Sequence, residues 1–142
     1  MFQDEIMLKE LTQRLAYNVK VDFDKTVCQL ISVQNTGTVI LSDIKNNKIL
    51  TTKLDNIKLY LYPLSSLSKS QREKLQDIVK GQRFSKNGYF NVDRIWVDEM
   101  ANIIDLFHKW HIDYRGMIDQ GNAIDATNKI VYYDEGNRSK NY

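Results

Sequence analysis

The chain has 142 residues, 42% of them apolar and 27% charged, with six glycines, one proline and one cysteine. These values lie near the globular average, which argues against a collagen-like rod, a disulfide scaffold or a disordered tail. Twenty basic against eighteen acidic side chains leave +2, too even a balance to point to nucleic acid or a membrane by charge alone.

With Cys28 as the lone cysteine no intrachain disulfide can form, which fits a reducing compartment. The opening MFQDEIMLKEL begins with acids rather than a basic stretch before an apolar core, so no secretory signal is expected. No apolar run approaches the roughly 18 residues of a membrane span. The expectation is one cytoplasmic domain over residues 1–142, without membrane partner, metal or cofactor.

In chain order, the spacing of Leu8, Leu11 and Leu15 predicts a helix over residues 3–16, with Lys9, Glu10 and Gln13 on its solvent side. The period then changes. Val19, Val21 and Phe23 alternate with polar residues as a half-buried strand, and Asp24-Lys25 makes a tight turn into a β-branched run, Thr26–Gln34. Asn35-Thr36-Gly37 turns into a third strand, Thr38–Ser42, and Asn46-Asn47 into a fourth, Lys48–Lys53. A fifth places Ile57, Leu59 and Leu61 on one face and Lys58, Tyr60 and Tyr62 on the other, and Pro63 ends it. Five short strands joined by short turns suggest a small antiparallel barrel, SH3-like or OB-like, or a curled sheet over residues 18–63, preceded by a helix over 1–17.

Residues 68–142 read as a helical annex. Ser70-x-x-Glu73 and Ser68-x-x-Gln71 are alternative capping boxes for a helix starting near residue 69. Residues 82–91 read as a loop or short hairpin. Val92, Trp96, Met100, Ile103, Phe107 and Trp110 then share one helical face, although Asp98 offers a later start. After His111 a turn and one or two helical turns close at Gly121, and Ile130–Tyr133 reads as a late strand. The fold class is α+β.

Charge is unevenly spread. Residues 1–67 hold eight basic and seven acidic side chains, residues 68–90 six and two, and residues 91–142 six and nine. Lys69, Arg72, Lys80, Arg83 and Lys86 near Phe84, Tyr89 and Phe90 make a candidate patch for phosphates and stacked bases. Asp105, His108 and His111, spaced by three, form a candidate metal triad, although no Cys or further His completes a set. His111-Ile112-Asp113-Tyr114-Arg115-Gly116 has two readings. One is an acid–base site; the other, favoured by the sequence, has Asp113 capping a short helix, Arg115 pairing with a carboxylate, Tyr114 in the core and Gly116 at a close approach. Lys58, Tyr60 and Tyr62, with Tyr89 and Phe90, make the best candidate contact surface; the equal alternative is that these tyrosines lie under the helical annex. Phosphate-cradling glycine loops and the GxSxG elbow are absent from the sequence.

Two stretches carry a resemblance. Lys58–Ser68 (KLYLYPLSSLS) is similar to I-K-P-Y-L-R-P-L/M-S-S-L/M-S/T, and Trp110–Ile118 (WHIDYRGMI) with Gly121 and Ala123 is similar to H-x-D-Y-R-G-L-I-x-x-G-x-A. Both patterns, and the opening LKELTQRLAYNVKV, resemble uncharacterised proteins of Bacteroides-type bacteria and their phages and prophages. Leu59 replaces a common Pro and Tyr62 a common Arg, which weakens any anion site there. The resemblance implies a mobile-element origin and a bacterial cytoplasm, and it brings no activity or site residue. The expected function is a non-catalytic accessory protein that binds a host protein, such as a defence-system component. Other readings are a nucleotide-signal sequestering protein using Arg83, Tyr89 and Arg115, a small virion component, a nucleic-acid-binding module, and a metal-dependent hydrolase.

Overall fold

The computed structural model describes residues 2–78 and 97–132. Helix α1 (Phe2–Arg14) continues into one 3-10 turn, Leu15–Tyr17. Asn18 stops it in the left-handed region (φ 59°), its N–H donating to the Leu15 carbonyl. Five strands follow, β1 (Lys20–Phe23), β2 (Thr26–Val33), β3 (Thr38–Asp43), β4 (Lys48–Lys53) and β5 (Ile57–Pro63). Then come α2 (Lys69–Ile78), α3 (Val97–Lys109) and two short strands, β6 (Ile112–Asp113) and β7 (Ala123–Asp125). The α+β class is as expected.

Local chemistry explains most of these boundaries. Asp24 and Lys25 both take positive φ (52° and 64°), the turn geometry that matches the twist of a two-residue hairpin. The capping box is the Ser68 one. Gln71 N–H donates to Ser68 Oγ (3.1 Å) and Ser68 N–H to Gln71 Oε1 (2.9 Å). The start of the 92–110 helical pattern and the 82–91 loop lie outside the described residues.

The sheet runs β4-β3-β2-β1-β5-β6, with β7 also on β5. Strands β1–β5 pair antiparallel where they touch, but β6 and β7 join β5 in parallel, so the sheet is mixed and open rather than a closed five-stranded barrel. The late strand is also different. Ile130 is 97% exposed and the described part of Ile130–Tyr133 is not a strand; pairing instead comes from β6 and β7, too short to show a period.

Strand β5 is buried on both faces and divides two cores. Ile57, Leu59 and Leu61 join Met7, Leu11, Val21 and Leu41 on the α1 side, while Tyr60 and Tyr62 join Leu75, Ile103, Phe107 and Tyr132 on the α2–α3 side. Of the two expectations for Tyr60 and Tyr62, the exposed face is corrected and burial under the helical half holds: they retain 6% and 3% of their surface because α3 and its neighbours cover that face. Only Lys58, nearer the start of the strand, stays exposed.

One side chain sets where β5 changes partner. The register Val21↔Leu59, Asp22↔Lys58 puts Lys20 opposite Tyr60. The Tyr132 hydroxyl stands between them, accepting the Lys20 N–H (3.0 Å) and donating to the Tyr60 carbonyl (2.7 Å). The His111 ring stacks on the Tyr132 ring at 3.8 Å, and the Tyr62 N–H donates to the His111 carbonyl (2.8 Å). A phenol thus replaces one rung of the β1–β5 ladder, and β5 passes on to β6. Tyr132→Phe leaves the ring but strands a buried N–H and a buried carbonyl, so it should cost about 2 kcal/mol. Urea unfolding checks this: an unchanged midpoint would show that the hydroxyl is not a structural rung.

Candidate functional site

The HIDYRG segment lies at the junction of α1, α3 and β5, and its polar groups are used there. Asp113, at the end of β6, accepts the N–H groups of Met117 (2.9 Å) and Ile118 (2.8 Å), capping the following turn as the sequence suggests. Gly116 is needed for its φ of +74°; a Cβ there would meet nothing within 4 Å, so close approach is not the reason. Tyr114 stacks on Phe107 with ring centroids 5.7 Å apart.

The carboxylate that Arg115 pairs with is Glu10. The sequence reading places Glu10 on the solvent side of α1, but the structure buries it fully, together with Arg14 one turn later. Glu10 Oε1 accepts from Arg14 (3.2 Å), and Oε2 accepts from Arg115 Nε (3.0 Å) and the Tyr114 hydroxyl (3.3 Å). Arg14 also donates to the Ile112 carbonyl (2.7 Å), so one guanidinium ties α1 to β6. His108 Nε2 lies 2.7 Å from the Tyr114 oxygen. The imidazole tautomer sets which of the two donates, and either way the phenol links His108 to Glu10.

Electrostatics follow from burial. Burial holds His108 below its ordinary range, the Arg14 charge adds to this, and Glu10 and Asp105 pull the other way. Burial also raises Tyr114, helped by the Glu10 charge. On the sheet, burial and nearby Asp22 push Tyr60 up to about 12, its hydroxyl donating to Asp22 (3.2 Å). Cys28 is buried and raised, mainly by desolvation, which leaves it a poor nucleophile.

The metal triad is not assembled. His108 is engaged with Tyr114, His111 lies flat on Tyr132, and Asp105 is exposed. Among the described residues no group of three or more His, Cys, Asp or Glu is placed to hold a metal ion. Arg83, Tyr89 and Phe90 lie outside the described residues, as do Lys80, Phe84 and Lys86 of the basic patch. Arg72 turns back onto the Leu67 carbonyl. Lys58 lines a hollow of about 220 Å³ with Met7, Asp55 and Met117. A second hollow of about 370 Å³, beside the end of β4, mixes Glu5 and Asp55 with Lys53, Leu8 and Leu54 and so selects no one sign of charge.

The feature with unused binding capacity is the edge of β4. The Leu54 N–H donates to the Gly37 carbonyl (2.9 Å), which makes 37–54 a bonded pair in the register Thr38↔Lys53 to Asp43↔Lys48. Bonded and non-bonded pairs alternate along an antiparallel ladder. Lys48, Leu50 and Thr52 therefore bond to β3, while Ile49, Thr51 and Lys53 turn their N–H and C=O groups outward. Among the described residues no strand pairs with this edge, and Ile49 is 66% exposed upon it. No sequence signal singled it out, because a strand's place in the sheet is a property of topology.

No family model, no curated protein and no solved structure matches the chain.

Glu10→Gln leaves the buried Arg14 without its counter-charge and should cost about 3 kcal/mol in urea unfolding. His108 adds a pH dependence. Its folded pKa lies below the ordinary 6.5, so between those two values the unfolded chain binds the extra proton and stability falls as pH drops. His108→Gln, which keeps a neutral hydrogen-bonding group beside Tyr114, should remove that part of the slope below pH 6.5 and leave the rest. An unaltered slope would place His108 outside the acid response.

Proposed function

We propose that this chain is a non-catalytic accessory protein of a phage or prophage that acts in the bacterial cytoplasm by binding a host protein, and that β4 makes the contact. A component of a host defence system is the kind of target that fits a mobile element. The origin rests on the resemblance of the KLYLYPLSSLS and WHIDYRGMI stretches. The binding reading is supported above all by the outward backbone groups of Ile49, Thr51 and Lys53, beside an exposed isoleucine on a regular strand. The polar groups of the HIDYRG motif are by contrast engaged: Asp113 by the Met117 and Ile118 N–H groups, Tyr114 and Arg115 by Glu10, and the His111 ring by Tyr132, which favours a structural use of that motif.

Proline separates contact from fold at this edge. The Thr51 N–H makes no bond to β3, so Thr51→Pro removes an outward donor without breaking an internal rung, the setting in which strands tolerate proline. Tagged full chain in host lysate should capture a specific protein that Thr51→Pro loses at least about tenfold, with circular dichroism and melting temperature unchanged. A capture that survives Thr51→Pro would remove β4 from the reading, and no capture at all would remove the protein partner.

A further inference from the structure

The β4 edge also carries chemistry that chooses among strands. We infer that its occupant is an extended acidic segment of the partner, added as a further strand beside β4; this rests on the binding role proposed for that edge. Residues 43–55 contain three lysines and two acids; Asp43, opposite Lys48 in the β3–β4 register, is buried and held by Asn46, which leaves three exposed lysines against the exposed Asp55. Lys45, Lys48 and Lys53 are all exposed, in the turn before β4 and at its two ends, and Lys53 Nζ is held against the Thr38 hydroxyl (3.0 Å). A segment in register with Ile49, Thr51 and Lys53 thus has a cation at each end of its backbone ladder. Opposite charges across neighbouring strands stabilise pairing and like charges oppose it.

The same lysines argue against a second copy of this chain as the occupant. Two copies joined edge to edge would bring together two stretches in which three exposed lysines outnumber one exposed acid, Asp55. Lysine on an open edge is a usual guard against such self-pairing. An acidic strand turns that guard into an attraction. Ile49 adds a requirement for an apolar or β-branched residue on the same face, because its exposed side chain lies on the strand between Lys48 and Lys53. Ile49 and Lys53 share one face of β4 and Lys48 lies on the other, so the predicted segment is extended and acidic near its two ends, with an apolar or β-branched residue beside Ile49.

Selection of a random-peptide library displayed on yeast against the immobilised full chain tests this. The expected winners are acidic, with an apolar or β-branched residue between the acids. They should fall below detection on Thr51→Pro and weaken about tenfold on the Lys48→Glu/Lys53→Glu double variant. Winners that need Thr51 but are neutral or basic would overturn the acidic occupant and leave the edge reading standing. Acidic winners that bind Thr51→Pro equally well, or no winners at all, would overturn strand addition itself. A dimer seen by light scattering in the wild-type chain and lost in Thr51→Pro would put a second copy on the edge and overturn the inference.

Discussion

The fold turns on one constraint: β5 is buried on both faces. A strand in that position needs cover from two sides, because each face carries side chains that lose by contact with water. Leu59 and Leu61 call for α1 and the β1–β4 meander, and Tyr60 and Tyr62 call for α2 and α3. Both edges of β5 are also claimed, by β1 and by the parallel β6 and β7. Such cover cannot come from neighbours in sequence alone, and the helical half is folded back across the sheet to supply it. Parallel pairing is the natural result, since Ile112 and Ala123 reach β5 through crossovers rather than hairpins.

Polar groups dragged into this arrangement set its specificity. Glu10 is fully buried and serves Arg14, Tyr114 and Arg115 at once. A buried carboxylate of this kind contributes little net stability over an apolar core, but removing one partner leaves the others uncompensated. The cluster therefore works as a register pin: α1 docks on β6 in the one position where Arg14 reaches both Glu10 and the Ile112 carbonyl. Tyr132 plays the same part on the sheet, where its hydroxyl and ring complete a ladder and a stack that no backbone group fills.

How much of this was legible follows from the range of each interaction. The Asp24-Lys25 turn and the Ile103–Phe107 stripe are local, written in spacings of one to four residues, and the sequence shows them, whereas it offers two equal capping boxes and only the structure selects Ser68–Gln71. The tyrosines of β5 are harder. Alternation with Lys58 makes Tyr60 and Tyr62 look like a solvated face, and tyrosine's mixed character fits either side of a sheet. Only contact with residues such as Ile103 and Tyr132 decides it. Glu10 misleads for the same reason, since a charged residue on an amphipathic helix is normally outside, and its partner Arg115 lies more than a hundred residues away. The β6 and β7 strands, of two and three residues, carry no period to read.

The contrast between the two ends of the sheet bears on function. Around β5 satisfaction of the backbone extends to recruiting a phenol where a strand diverges. At β4 three residues point backbone donors and acceptors outward; among the described residues no helix covers them, the strand holds no proline, and the one bulge of the meander falls on β2 at Leu30–Ser32, which leaves the lysines as the guard. A guard made of charge excludes by sign rather than by shape. It keeps off a second copy, which carries the same lysines, and its effect reverses for a strand of opposite charge. An edge closed in this way is selective, and selectivity toward one sign of charge is the property a binding surface on a small domain can use.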